Sequence, residues 1–197
     1  MTTNNYFITI AGNIGVGKST LVHLLSDKLS WQPIFEAVEE NPYLADFYAD
    51  MPRWAFQSQV FFLSKRLQQH HNLLQHRGSV IQDRSVYEDA EIFARNLYMQ
   101  KALSERDWAC YYDLYQTMAS MLRPPHLMVY LKASVPTLRR RITQRGRDYE
   151  QSITDQYLSQ LNDLYDNWAN DFSYSPLLTI DTDGLDYVQS PAHLEQI

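Results

Sequence analysis

Along the chain, short continuous apolar runs alternate with longer stretches in which apolar positions recur every three or four residues. The runs Tyr6 to Ala11, Gln32 to Glu36, Ser79 to Gln82, His126 to Leu131 and Leu177 to Ile180 are of strand length and lie near turn-forming residues. Helical spacing follows the first of them at Leu21, Leu24, Leu25 and Leu29. Arg53 to His76, Tyr87 to Gln100, Ser104 to Leu122 and about Thr154 to Ala169 also read as helices, with Asn41-Pro42 as a helix start and Pro124-Pro125 as a stop. Strands alternating with helices predict an α/β fold with a parallel sheet, here of five strands flanked by helices. The segment after Asp181, which carries Gly184 and Pro191, is expected to be loop.

Between the first strand and its helix stands Gly12-Asn13-Ile14-Gly15-Val16-Gly17-Lys18-Ser19, followed by Thr20. Two outer glycines separated by four residues, then lysine and a hydroxyl, form the pattern of a phosphate loop. Glycine lets the chain curl so that successive N–H groups face phosphate oxygens, the helix N-terminus adds partial positive charge, and Lys18 reaches the outer phosphates. Ser19 is placed to hold magnesium. The dinucleotide fingerprint needs the order G-x-G-x-x-G, whereas these glycines run G-x-x-G-x-G. ATP with Mg2+ is therefore the expected ligand.

Length and charge narrow the class. The 197 residues, 45% hydrophobic, suit one domain over 1–197. With 17 basic against 23 acidic residues the formal charge is -6, so no global positive field attracts nucleic acid. The start of the chain lacks a basic, apolar leader and no run reaches membrane-spanning length, which implies no membrane partner and a cytoplasmic setting. Cys110, the single cysteine, sits among Trp108, Tyr111 and Tyr112 and is expected to pack within a helix. His70, His71 and His76 share no face at metal-ligand spacing and are expected at the surface.

In an open parallel sheet ligands bind beyond the carboxyl ends of the strands. Glu36 ends the second strand and Asp83 the third. Glu36 is suited to accept a proton from an acceptor hydroxyl and Asp83 to sit near the metal beside Ser19; Glu39 and Glu40 are rival bases set farther along. Arg84 could fix Glu36 and a phosphate oxygen through its planar fork. Downstream, Arg139, Arg140, Arg141, Arg145 and Arg147 fall within nine positions, with Arg141 and Arg145 on one helical face. They read as an arginine-rich lid, about 141–152, that brings positive charge to a transferring phosphoryl group.

The ordered motifs "GNIGVGKST", "EAVEENPYL", "WAFQSQ", "DRSVYEDAEIFARNLY" and "RGRDYE" make the sequence similar to the deoxyribonucleoside kinases of the deoxycytidine, deoxyguanosine and deoxyadenosine kinase type, over most of the chain. The resemblance implies a P-loop nucleoside-kinase-type three-layer fold, and transfer of a phosphoryl group from ATP to the 5′-hydroxyl of a deoxyribonucleoside. It implies Glu36 as general base, Arg84 beside the 5′-hydroxyl, Asp83 as the magnesium-linked acid, and Arg141, Arg145 and Arg147 as lid arginines. Tyr48 and Glu150 match the pair on the sugar 3′-hydroxyl, Gln57 the residue bonded to the base and Phe93 the aromatic stacked on it. The stretch from Thr179 through Asp181 to Val188 is similar to the loop around the donor adenine, and a homodimer formed through helices is implied.

One position departs from the pattern. Asp89 matches an acid that works with an arginine on the preceding long helix, and the corresponding position here reads as Ser64, followed by Lys65 and Arg66. A carboxylate near the base favours one with an exocyclic amine, with deoxyadenosine ahead of deoxycytidine and deoxyguanosine. Two other readings remain at this point: a nucleoside monophosphate kinase of the thymidylate kinase type, which would have to seat an acceptor phosphate beside Glu36, and a nucleotide-gated regulatory protein.

Overall fold

A computed structural model describes residues 5–36 and 40–197. Five parallel strands form one sheet in the order β2-β3-β1-β4-β5, where β1 is Phe7–Gly12, β2 Gln32–Ile34, β3 Val80–Asp83, β4 Leu127–Lys132 and β5 Leu177–Asp181. Each lies within two residues of the strand expected from its apolar run. β1 is central and pairs with β3 from Phe7 opposite Val80 to Ile10 opposite Asp83, and with β4 from Ile8 opposite Leu127 to Gly12 opposite Leu131. Burial follows position in the sheet: β3 is buried throughout, whereas the edge strand β5 leaves Leu178 exposed.

Helices flank the sheet. The helix α1, Lys18–Leu29, leaves the phosphate loop directly, and α2, Leu44–Ala49, precedes the long α3, Met51–Gln75. α3 starts at Asp50, whose carboxylate accepts from the Arg53 N–H, with Pro52 in the first turn. The expected start at Asn41 is instead a side-chain turn, Asn41 Oδ1 accepting from the Tyr43 N–H. After β3 the helix is not continuous: α4, Val86–Glu88, passes into a π-helical segment, Asp89–Ala94, and then α5, Arg95–Met99. Ser85 and Glu88 cap its start reciprocally. The remaining helices are α6, Glu105–Ala119, α7, Val135–Arg145, α8, Asp155–Asp171, and a short α9, Pro191–Leu194, in the tail expected to be loop.

The main core joins Ile10, Leu21, Ile81, Met128 and Leu131 from the sheet and α1 to Leu97, Tyr111, Leu158, Leu161 and Tyr165 from the flanking helices. Two expectations are corrected here. His70 is buried, accepting the Arg123 N–H on Nε2, because it continues the inward stripe of α3. Cys110 is exposed, because Tyr111 and Tyr115 take the inward face of α6 and turn it outward. Among the described residues no helix is long and apolar enough to cross a membrane.

Gly12 closes β1 at φ +142°, and a Cβ there would lie 2.5 Å from the Leu131 carbonyl oxygen and 2.9 Å from Val16 Cγ1. Both neighbours are held by the sheet and core, so Gly12→Ala should cost about 2 kcal/mol or more of unfolding free energy. Gly184, with open space around it, is the control: Gly184→Ala should change stability by less than about 0.5 kcal/mol, both variants being compared with wild type by urea titration.

Candidate active site

Beyond the ends of β1, β2 and β3 lies a cavity of about 450 Å³. One end is walled by Ile14, Gly15, Lys18 and Ser19 of the phosphate loop and α1, and the wall continues through Glu36, Asp83 and Arg84 to Tyr48, Gln59, Asp89 and Phe93. Arg145, Arg147, Tyr149 and Glu150 close one side.

The phosphate loop is braced from several directions. Lys18 Nζ donates to the carbonyls of Gly12 at 2.8 Å and Asn13 at 3.0 Å. The Asn13 side chain turns away from the cavity, donating to the Leu158 carbonyl and Asn162 while Oδ1 accepts from the Ile14 N–H. Val16 is buried in the core and Gly17 begins α1 in a left-handed conformation, its carbonyl accepting from Tyr187. Ser19 Oγ donates to Asp83 Oδ2, and Asp83 Oδ1 is buried with no hydrogen-bond partner among the described residues.

Arg84 stands at the centre of the wall. It is a non-glycine residue at φ +68°, a strained conformation held by its N–H donating to the Ile10 carbonyl at 2.9 Å. Its Nε lies 2.8 Å from Glu36 Oε1, an ion pair whose N–H is not aimed along that line, and its guanidinium covers the Phe93 ring at 4.2 Å. Burial alone would raise the Glu36 carboxyl, but the charges of Arg84, Arg66 and Lys18 outweigh it and hold the group below the usual carboxylate range. Glu36 therefore stands as an anion. Glu40 lies at the rim, paired with Lys65 at 2.5 Å; Glu39 lies outside the described residues.

At the far end, Arg66 Nε donates to Asp89 Oδ2 at 3.0 Å and Nη2 to Oδ1 at 3.4 Å, both side chains being buried. Arg66, not Ser64, is thus the partner of Asp89. Gln57 is likewise corrected: Gln59 lines the cavity, because residues two apart on a helix point about 200° away from each other. Gln59 and Arg66 are seven apart and share a face, and Phe62 between them lines the same wall. That spacing was the signal available in the sequence. Tyr48 stacks on Tyr149 at 5.9 Å.

The lid arginines separate. Arg145 forms a two-pronged pair with Glu150, at 3.0 and 2.6 Å, and Arg147 comes within 3.7 Å of the same carboxylate. Arg141 does not reach the cavity: it donates to the Val16, Thr182 and Leu185 carbonyls and to Thr182 Oγ1, because it lies one turn back on α7 over the underside of the phosphate loop. Thr20 and Asp181 also lie outside the cavity wall, Thr20 within α1 and Asp181 at the end of β5, accepting from the Asp183 N–H. Two buried residues behind the wall, Glu88 and Tyr165, escaped the sequence reading because neither borders the cavity and Glu88 reads simply as a helix cap.

Residues 8–197 match the family model of deoxynucleoside kinases. The chain is 34% identical to the deoxyadenosine/deoxycytidine kinase of Bacillus subtilis, covering 98% of this chain and 90% of that protein. It is 39% identical to the deoxyguanosine kinase of Lactobacillus acidophilus, covering 95% and 86%. The solved structure of the M. mycoides deoxyadenosine kinase with bound dATP superposes with a TM-score of 0.84 at 30% identity, covering 98% of this chain and 96% of that one. The monophosphate-kinase and regulatory readings are set aside by these matches. The chain belongs to the deoxynucleoside kinase family and is a kinase that phosphorylates deoxynucleosides.

Proposed function

We propose that the chain transfers the γ-phosphoryl group of ATP to the 5′-hydroxyl of a deoxyribonucleoside bearing an exocyclic amine, with deoxyadenosine favoured. The observation that carries this reading is one cavity with a phosphate loop at one end and a buried arginine–aspartate pair beside a glutamine at the other. The Gln59 amide can pair with an amine and an adjacent ring nitrogen, Phe93 offers a face for the base, and Tyr48 and Glu150 offer the sugar a hydroxyl and a carboxylate. Thymine, lacking the amine, would bring no exocyclic donor to the Arg66–Asp89 pair.

In this reading Glu36 orients and deprotonates the 5′-hydroxyl, and Arg84 holds Glu36 and meets charge on the moving phosphoryl group. Arg145 and Arg147 add charge from the lid, the segment from about 141 to 152. Arg141 acts on the loop's backbone instead. Asp83 and Ser19 suit magnesium: one carboxylate oxygen is buried and has no partner among the described residues, the other accepts from the Ser19 hydroxyl in the first turn of α1, and Mg2+ beside phosphates needs only one or two protein carboxylates. Bound there, the ion would neutralise donor phosphate charge. A homodimer and a cytoplasmic setting belong to the same reading, the homodimer resting on the family resemblance.

Lys18 adds a pH signature. Burial, with Arg84 nearby, lowers its ammonium from 10.5 to about 8 despite Asp83, Glu36 and Glu88. Below pH 8 the lysine is charged in both folded and unfolded chains and its burial cost is fully present. Between 8 and 10.5 the unfolded chain holds the proton more tightly, so stability from this group rises with pH.

Incubating the protein with magnesium-ATP and a panel of deoxynucleosides should give 5′-monophosphates by mass, with deoxyadenosine turned over best; product from thymidine alone would overturn the base assignment. Glu36→Gln keeps the size and loses the base, and turnover at saturating substrates should fall about 10²- to 10⁴-fold, the lower end being expected for a loose transition state. Glu40→Gln should cost little, and a larger loss there than at Glu36 would reverse the assignment. In nucleotide-free chemical unfolding, wild type should gain on the order of 1–2 kcal/mol relative to Lys18→Met between pH 8 and 10; parallel pH curves would contradict the depressed lysine.

A further inference from the structure

Glu88, at the end of α4, and Tyr165, in the middle of α8, are fully buried behind the cavity. Arg84 Nη1 donates to the Tyr165 oxygen at 3.1 Å. The hydroxyl carries one proton and faces two acceptors, Glu88 Oε1 at 2.8 Å and the Gly12 carbonyl at 2.9 Å. Glu88 Oε1 also accepts from the Gly12 N–H at 3.1 Å, while Oε2 is taken by the Ser85 N–H and Oγ at 2.8 and 3.0 Å. The Gly12 carbonyl has a second donor, Lys18 Nζ at 2.8 Å. An unbroken line of contacts therefore runs from Lys18 through Gly12 and Tyr165 to Arg84. The Tyr165 ring cannot shift to relieve any of them, since it stacks on Tyr130 at 5.5 Å and 9° and meets Phe93 edge-on at 6.3 Å.

We infer that Tyr165 is a positioning residue that couples donor binding to acceptor binding, the choice of its hydroxyl proton between Gly12 and Glu88 linking Lys18 to Arg84. The inference rests on the kinase reading above. With Lys18 resting on the Gly12 carbonyl, that oxygen has a donor already and the tyrosine proton is free for Glu88. When donor phosphates draw the ammonium away, Tyr165 is the side-chain donor still within reach of the carbonyl, and leaving that oxygen unmet in a buried site is costly. The proton turns to Gly12, the rotation about the C–O bond re-aims the lone pairs that receive Arg84, and Arg84 is the group paired with Glu36. The donor half of the site is thus felt at the acceptor half with no backbone displacement. Reciprocity requires that the acceptor change donor affinity by the same factor.

The test is the affinity of a deoxynucleoside, by calorimetry, with and without a non-hydrolysable ATP analogue and magnesium, in wild type, Tyr165→Phe and Tyr130→Phe. Phenylalanine at 165 keeps the stack and removes the shared oxygen. Wild-type coupling of about fivefold or more should fall to within twofold of unity in Tyr165→Phe, with turnover down about tenfold and the deoxynucleoside KM changed less than threefold. Tyr130→Phe deletes a hydroxyl from the neighbouring ring, whose partner is Asp166, and should keep the wild-type coupling. Wild-type coupling and turnover in Tyr165→Phe, equal loss in both variants, or a wild-type coupling of one would each overturn the inference. If Tyr165→Phe fails to fold by circular dichroism, 2,3-difluorotyrosine at 165 keeps ring and oxygen but makes the hydroxyl a stronger donor and weaker acceptor. Coupling should then shift at least twofold, and unchanged coupling overturns the inference. Failure of wild type to phosphorylate any deoxynucleoside would instead remove the kinase reading beneath it.

Discussion

Burial of the Arg84 guanidinium is the constraint on which the cavity depends. A charge taken out of water is costly unless anions and oriented dipoles replace the lost hydration, and Arg84 is 4% exposed. Its replacements come from far apart in the chain: Glu36 after β2, Tyr165 on α8 and the Phe93 face in the π-helical segment. The strand order brings these suppliers together, because β2, β3 and β1 are neighbours and their carboxyl ends open on one edge. Around this centre the buried cations Lys18, Arg66 and Arg84 face the carboxylates of Glu36, Asp83, Glu88 and Asp89, so few of them can be altered alone without stranding another.

Much of this was legible in the sequence where the physics is local. A short apolar run of strand length between turn signals reads as a strand before its partners are known, and the glycine spacing of the phosphate loop carries its own geometry. The acids and arginine at the ends of the second and third strands followed from parallel-sheet logic, and the cavity gathers Glu36, Asp83 and Arg84. What escaped depends on tertiary context. Among the described residues the buried positions of α3 are Ala55, Ser58, Gln59, Leu63, Arg66, His70 and Leu73; four of the seven are polar, so apolar periodicity does not reveal the stripe, and Gln57 and Ser64 read as the positions that Gln59 and Arg66 hold. The wider turn of Asp89–Ala94 has no compositional mark either. Such insertions into helices often accompany functional sites, and here the segment carries both Asp89 and Phe93 to the cavity. Arg141 illustrates a further limit: motif position put it with Arg145, but the carbonyls beneath the phosphate loop claim it.

The relatives separate what is shared from what varies. Proteins of 34% and 39% identity to this chain are named for different nucleosides. Distinguishing bases by their exocyclic groups needs only a few convergent polar contacts, since an unmatched buried donor or acceptor is penalised heavily. The phosphate loop, the Arg84 cluster and the sheet are compatible with any of these acceptors. In the proposed reading, discrimination falls to the far end of the cavity, where Gln59 and the Arg66–Asp89 pair stand on α3 and the π-helical segment.

The contacts that finish the phosphate loop span nearly the whole chain. The Gly12 carbonyl waits for Tyr165, 153 residues later, and the Gly17 carbonyl for Tyr187, 170 residues later. Arg141 reaches back 125 residues to Val16, and Lys28 of α1 pairs with Glu195. Contacts of such separation form only after the loop-closure entropy of the intervening chain has been overcome. On the ribosome, where chains emerge N-terminal end first, the strand and helix that flank the loop are made early, yet the nascent chain stays without a fully braced nucleotide cradle until the segment carrying Tyr187 and Glu195 has left the exit tunnel.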